Sequence, residues 1–152
     1  MQKILLPYNF SSYDQKALDF AIQTFANRKD VEITLFNAYT PLPEIDMRTS
    51  PIMEKVSSNL HFISQRIKEQ ETELKTVANK LLAKGFSETQ IKTLFTPQQK
   101  DIADDIVKQA VNGQFDVVIL NRNPAKILSF FTGSIFNKVV KALKDKTVCI
   151  VS

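Results

Sequence analysis

Between Asp116 and Val140 the chain changes from a short apolar run to a polar loop and then to an amphipathic segment. The run Val117 to Leu120 ends at Asn121, and Gly133 and Ser134 stand before the amphipathic segment. Because Ser134 can cap a helix, the pattern predicts strand, loop and helix. In an open α/β sheet such a turn is where ligands bind, and a helix N-terminus offers free N–H groups to a phosphate. A strand-to-helix turn without a ligand needs the same cap, so this segment alone does not establish a site.

The same alternation of apolar runs and amphipathic segments extends over the whole chain. Strands are predicted at Lys3 to Tyr8, Val31 to Tyr39, Gln90 to Phe95, Val117 to Leu120 and Thr147 to Val151. Helices are predicted after Ser11 or Ser12, at Ile52 to Lys84, at Lys100 to Asn112 and from Ser134 to about Lys144. The polar stretch Glu69 to Glu73 suggests a bend or a change of face in the long helix. This order predicts an open, mostly parallel five-stranded α/β sheet with helices on both faces, a Rossmann-like three-layer sandwich.

Length, hydrophobic content, cysteine count and net charge limit the class of protein that the chain can belong to. The 152 residues, 43% of them hydrophobic, suit a single domain with its own core. Cys149 is the only cysteine, which excludes an internal disulfide and a cysteine metal cluster. No leader sequence and no apolar stretch of roughly 20 residues is visible, so we expect a cytoplasmic protein without a membrane partner. The net charge of +4 comes without an RNA-binding signature, so nucleic acid is not the expected partner.

Three stretches resemble the universal stress proteins: KILLPYNFSSYDQKALDFA at the start, ITLFNAYTPLP after it, and TGSIFNKVVKALKDKTVCIVS at the end. The resemblance covers essentially all of residues 1–152 and implies one adenine nucleotide alpha-hydrolase-like domain. It also implies a role in the stress response. The family often dimerises through its last strand, here Thr147 to Val151, whose backbone groups would be unpaired at a sheet edge.

The resemblance also places a nucleotide site, with departures. The family's phosphate loop follows the pattern G-x2-G-x9-G-[ST], and here Asn121 and Pro124 stand at the first two glycine positions. The spacing to Gly133 is one residue short. Asn9 stands where the family tends to have an acidic residue, and the family's backbone contact to adenine falls near Ala38. The resemblance thus implies a degenerate nucleotide or anion site at Asn9, Ala38, Asn121, Gly133 and Ser134.

Asn9 and Asn121 are the most informative polar residues. Both should lie at the carboxyl ends of neighbouring strands, where they either bind a ligand or hold the loops. The single histidine, His61, has no cysteine or acidic cluster at metal spacing, so no metal site is expected. None of the serines has a histidine placed by sequence as a catalytic partner, so we expect no catalytic residues.

We therefore expect a binding or regulatory protein, not an enzyme, with weak or absent ATP binding. No cofactor is assigned; the candidate ligands are ATP, AMP or a simple anion such as phosphate or sulfate. One alternative is an ATP-binding family member with an altered loop and slow hydrolysis. Another is a scaffold that binds a protein partner, or its own second subunit, through the apolar stripe of the helix from Ile52 to Ile67.

Overall fold

The computed structural model describes residues 1–43, 53–122 and 135–152, and all statements on structure concern these residues. Five strands form one sheet in the order β3-β2-β1-β4-β5, and every neighbouring pair is parallel. The strands are β1 (Gln2–Pro7), β2 (Val31–Tyr39), β3 (Ile91–Pro97), β4 (Val117–Asn121) and β5 (Thr147–Val151).

The helices are α1 (Ser12–Phe25), α2 (Met53–Ala83), α3 (Ile102–Asn112) and α4 (Ile135–Ala142), and a short 3-10 turn covers Glu88–Gln90. Two apolar clusters show how they pack. Residues of α1 and α2 pack on one face of the sheet, and residues of α3 and α4 pack on the other. The predicted three-layer α/β class is confirmed, and within the described residues the sheet is entirely parallel.

The three central strands are apolar because both of their faces are covered. In β1 the side chains of Ile4 and Leu6 belong to the α1–α2 cluster, and Leu5 between them belongs to the α3–α4 cluster. All three are fully buried. A strand that is covered on both faces has no side exposed to solvent, so its sequence is a continuous run of apolar residues.

The long helix α2 has two different halves. Leu74, Val77 and Leu81 are buried against β2 and β3, whereas residues 55–73 contain no fully buried side chain. The helix ends at Ala83, and Gly85 follows it with a φ of +109° that suits glycine, while Phe86 N–H donates to the Leu81 carbonyl. Within the described residues α2 runs unbroken through Glu69 to Glu73. One apolar stripe continues across this polar stretch.

The predicted bounds agree closely with the structure. β2 and β5 match residue for residue, and the other elements differ by one or two residues where they are described. The 3-10 turn before β3 was not predicted. Ile52, at the predicted start of α2, and Ser134, the predicted cap of α4, lie outside the described residues.

Candidate functional site

The crevice between β1 and β4 is the natural place for a ligand. From β1 the chain passes to β2 and β3 on one side, and then crosses to β4 and β5 on the other. The connections after β1 and β4 therefore leave the sheet in opposite directions. In open parallel sheets ligands bind outside the carboxyl ends of the strands at such a reversal.

The turn from β1 into α1 is organised by one buried carboxylate. Asp14 lies in the first turn of α1 and is only 1% exposed. Its Oδ2 accepts hydrogen bonds from the backbone N–H groups of Asn9 at 2.9 Å and Ser11 at 2.8 Å. The Ser11 hydroxyl donates to the same oxygen at 2.9 Å. Asp14 thus satisfies donors that the turn and the start of the helix would otherwise leave unpaired.

The other carboxylate oxygen of Asp14 joins this turn to the end of β4. The side-chain amide Nδ2 of Asn121 donates to Asp14 Oδ1. A carboxylate can only accept, so the Asn121 amide must present its nitrogen to Asp14 and carry its own oxygen on the other side. Asp14 therefore connects the two walls of the crevice.

Asn37, near the end of β2, adds a third strand to the hydrogen bonds that join the β1–α1 turn to β4. Its Nδ2 donates to the Tyr8 carbonyl at 2.8 Å. That carbonyl belongs to the same peptide group as the Asn9 N–H, which donates to Asp14. Asn37 is 3% exposed, and its Oδ1 is buried without a hydrogen-bond partner. An unpaired buried acceptor costs about 1–3 kcal/mol.

Tyr8 and Phe10 form the aromatic part of the turn. Their rings meet edge to face with centroids 5.6 Å apart. Phe10 has a φ of 59°, a left-handed conformation that strains a bulky side chain and is often found at functional sites. Burial raises the pKa of Tyr8 above 10.0, and the nearby charges of Asp14, Glu73 and Asp19 raise it further.

The structure brings two of the predicted site residues together at Asp14. Asn9 and Asn121 both contact Asp14, Asn9 through its backbone and Asn121 through its side chain. Ala38 is buried in the α3–α4 cluster at the end of β2. Gly133 and Ser134 lie outside the described residues, as does Pro124.

Asp14 and Asn37 are the residues whose role sequence reasoning missed. Neither residue is among the site residues that the sequence predicted. The spacing of Ser11 and Asp14 is a capping-box pattern, which could have identified the link to Ser11. Asn37 is the one amide in β2, which is otherwise mostly apolar. A single amide in a buried strand indicates a specific hydrogen bond, and this pattern could have identified the role of Asn37.

Arg122 follows β4 and is the nearest described cation in sequence to the predicted phosphate loop. Its backbone N–H donates to the Val151 carbonyl at 2.7 Å, which continues the ladder to β5. Its side-chain Nε is buried and has no hydrogen-bond partner among the described residues.

Polar groups elsewhere have structural roles. Asp101 caps α3 by accepting from the Asp104 N–H at 2.8 Å, and Lys138 of α4 contacts both carboxylates at 2.6 and 2.9 Å. The hydrogen bond from Lys138 holds the pKa of Asp101 below its usual range. Burial raises the pKa of the Cys149 thiol, which makes it a poor nucleophile at neutral pH.

A recess of about 560 Å³ runs along α2, and all of its described lining residues come from this one helix, among them His61, Glu69 and Glu73. Since no second element contributes a described group, the recess offers no convergent binding site.

Within residues 1–43, 53–122 and 135–152, no three side chains of the metal-ligating types are grouped. No described helix is long and apolar enough to cross a membrane.

Comparison with known proteins agrees with this architecture. The hypothetical protein MJ0577 is 24% identical, with 99% of this chain and 94% of that one covered and a TM-score of 0.70. A universal stress protein in complex with cAMP is 17% identical, with coverages of 99% and 95% and a TM-score of 0.66. The universal stress protein from Archaeoglobus fulgidus in complex with dAMP is 15% identical, with coverages of 100% and 98% and a TM-score of 0.60. At these identities the likeness establishes the fold. No curated protein sequence matches the chain.

A parallel five-stranded sheet with a polar crevice at its central strands defines an α/β protein of the Rossmann-like type. Residues 1–150 match the Universal stress protein family, so the chain belongs to that family.

Proposed function

We propose that this chain is a binding or regulatory protein of a stress response, that it turns over no substrate, and that it binds ATP weakly or not at all. The supporting observation is the contact between Asp14 and Asn121. Asn121 stands at the first glycine position of the family's phosphate loop, and its side chain donates a hydrogen bond to the buried carboxylate of Asp14. The same proposal includes a cytoplasmic location.

Three physical effects oppose a polyphosphate here. A glycine lets the backbone approach phosphates closely, whereas Asn121 carries a side chain that is held across the crevice. In addition, two like charges about 4 Å apart repel by about 4 kcal/mol at the effective dielectric of a protein surface. The carboxylate of Asp14 therefore opposes the charge of a triphosphate placed near it, and Pro124 removes one backbone donor from the loop.

Isothermal titration with ATP and magnesium tests this proposal. We expect a Kd of about 1 mM or weaker, which corresponds to about −4 kcal/mol of binding free energy. We also expect no release of phosphate from ATP in a parallel assay. A micromolar Kd that Gly133→Leu abolishes would contradict the proposal.

The second candidate is a nucleotide-binding protein with an altered loop and slow hydrolysis. It is favoured by relatives solved with cAMP and dAMP and by the unpaired Nε of Arg122, which suits an anion. Mass spectrometry of small molecules released from the freshly purified protein distinguishes the two candidates. A stoichiometric adenine nucleotide, with Arg122→Ala lowering its amount, would favour the second.

Two further proposals concern assembly. The strand β5 lies at the edge of the sheet with Ile150 41% exposed, which supports a homodimer built on Thr147–Val151. The outer half of α2, where Phe62 is 68% exposed, supports a contact with a protein partner.

A further inference from the structure

The apolar stripe of α2 repeats with the spacing of a coiled coil. From Val56 onwards its members are alternately four and three residues apart, and all of them are buried or half-buried. The members are Val56, Leu60, Ile63, Ile67, Gln70, Leu74, Val77 and Leu81. This is the heptad pattern, with Leu60 and Ile67 at a positions and Val56 and Ile63 at d positions. Its period of about 3.5 residues keeps one seam turned towards a partner over many turns of helix.

Within the described residues, only the inner part of this seam packs against the core. Leu74, Val77 and Leu81 belong to the α1–α2 cluster on the sheet. The four apolar members before them, which we call the outer seam, belong to neither apolar cluster and are not packed against either one. They are Val56, Leu60, Ile63 and Ile67. Because the heptad spacing continues beyond the inner part, the outer seam is suited to a second helix.

The position of the sheet determines the direction of that second helix. A parallel partner would follow the seam towards Leu81 and would collide with the sheet, which the inner part of the seam already covers. An antiparallel partner that pairs with the outer seam ends before Leu74, and its own domain lies beyond Val56. Only the antiparallel direction therefore leaves room for both domains.

The outer seam is complementary to itself in this direction. Around a two-fold axis, Leu60 at an a position packs against the partner's Ile63 at a d position. In the same register Val56 packs against the partner's Ile67. All four members of the outer seam then meet an apolar side chain, and the contact is isologous. A second copy of the chain thus offers the outer seam a matching surface.

The residues that flank the outer seam allow this register. Asn59 lies beside the partner's Arg66, and Ser57 lies beside the partner's Ser64. No like charges meet at these positions, where they would oppose the pairing. The side-chain oxygen of Asn59 can accept a hydrogen bond from the guanidinium. The flanking residues are therefore compatible with self-association.

The acidic stretch of α2 is complementary in charge to the start of the partner helix. α2 begins at Met53, and the partner's Met53 lies opposite Gln70, the one polar member of the seam. A helix N-terminus carries about half a positive charge. Glu69, Glu71 and Glu73 are exposed around this position. The same register thus accounts for the polar interruption of the stripe.

We propose that the outer half of α2 pairs with the same segment of a second copy of this chain as an antiparallel two-helix coiled coil. The inference rests on the proposed function, since it names the partner of the α2 surface proposed there. The 19 residues from 55 to 73 give a seam about 28 Å long and one helix wide. Such a contact is at the low end of interface sizes, so we expect a Kd of about 0.1 mM. Because β5 is at one edge of the sheet and β3 at the other, this contact can join β5 dimers without competing with them.

Disulfide trapping tests the partner and its direction together. In a Cys149→Ala background, which removes the native thiol, the pair Val56→Cys and Ile67→Cys should form a covalent dimer that a reductant reverses. These positions are about 16 Å apart along one helix, too far for a disulfide within one molecule. The matched controls are the two single cysteine variants, which should crosslink at least about tenfold more slowly because each lacks its opposite thiol. Parallel pairing would instead crosslink Val56→Cys alone and would overturn the inference.

Sedimentation equilibrium measures the contact without a covalent bond. In a Val148→Pro background, which excludes pairing through β5, the chain should associate with a Kd of about 0.1 mM. Ile63→Asp should raise this Kd about tenfold or more, because it places a charge in the seam. Phe62→Asp is the matched control, since Phe62 is 68% exposed and is not a member of the seam, and it should leave the Kd unchanged.

The outcomes separate this inference from the proposed function. A double cysteine variant that crosslinks no faster than the single variants overturns the inference, as does an equal effect of Ile63→Asp and Phe62→Asp. Where Ile63→Asp does not fold, the crosslinking result decides. None of these results changes the proposal of weak ATP binding, which titration with ATP tests. Micromolar ATP binding would overturn that proposal and leave the coiled coil standing.

Discussion

At the scale of single residues, Asp14 does the most to organise the crevice. Its two carboxylate oxygens accept from the β1–α1 turn and from Asn121 at the end of β4. A buried carboxylate is stable when several donors surround it, and those donors are costly to leave unpaired when it is removed. Asp14 therefore stabilises the fold and shapes the crevice at the same time.

Removing this carboxylate should be costly. We expect Asp14→Ala to lower the free energy of unfolding by about 2–3 kcal/mol, because it leaves the N–H groups of Asn9 and Ser11 and the amide of Asn121 without their acceptor. Urea unfolding followed by circular dichroism measures the change. Asp19→Ala, on the exposed side of the same helix, is the control and should change stability by less than about 0.5 kcal/mol. Equal effects of the two variants would contradict the role given to Asp14.

Tyr8 provides a pH-dependent signature. Its pKa in the folded protein is raised above 10.0 by burial and then by the charges of Asp14, Glu73 and Asp19. Above pH 10.0 the folded state therefore holds a proton that the unfolded state releases, so stability present below that pH is lost as pH rises through the folded pKa. Tyrosinate absorbance of wild type minus Tyr8→Phe should show Tyr8 titrating above pH 10.0, and Asp14→Asn should move that titration down. Titration of Tyr8 at or below its ordinary value is the opposing result.

At the scale of secondary structure, α2 is one helix with two environments. Its inner half is held by Leu74, Val77 and Leu81 in the core. Its outer half repeats the apolar stripe with Leu60, Ile63 and Ile67, which are only half-buried. An amphipathic stripe that is not fully buried in its own fold is available to pack against another surface.

Charge on this outer stripe should disturb contacts between molecules more than folding. We expect Leu60→Asp to leave the protein folded, with a free energy of unfolding within about 1 kcal/mol of wild type, while it weakens partner binding or self-association. Urea unfolding and analytical sedimentation measure the two effects. Leu74→Asp, which places a charge at a residue 1% exposed, is the control and should prevent folding. If Leu60→Asp also unfolds the protein, the stripe has an internal role, and if it changes neither property, both roles are wrong.

At the scale of the whole molecule, the open edge of β5 shapes our expectation of assembly. Thr147 N–H donates to the Asp116 carbonyl, and the Val151 carbonyl accepts from Arg122, so these residues direct their backbone groups towards β4. Because backbone groups in a ladder alternate in direction, Val148 and Ile150 direct theirs to the open edge. Antiparallel pairing with a second copy would satisfy them through an isologous contact.

A proline at Val148 tests this interface selectively. Val148→Pro removes an outward N–H and leaves the bonds of Thr147 and Val151 to β4 in place, so it should convert a dimer to a folded monomer. Sedimentation velocity at micromolar concentration measures the change. Cys149→Pro, which removes an inward N–H, is the contrasting variant and should destabilise the fold. A wild-type chain that sediments as a monomer would refute the dimer.

The sequence by itself determined the elements, the α/β class and the family. Apolar periodicity, helix caps and loop residues act over a few positions, so the bounds of β2 and β5 could be predicted residue for residue. The order of the strands and the contents of the crevice depended on the tertiary structure. Asp14 and Asn121 are separated by 107 positions, and only the crossover that places β4 beside β1 brings them together. Local patterns describe how each element buries its own face, whereas the partners of a buried polar group are chosen by the packing of the whole chain.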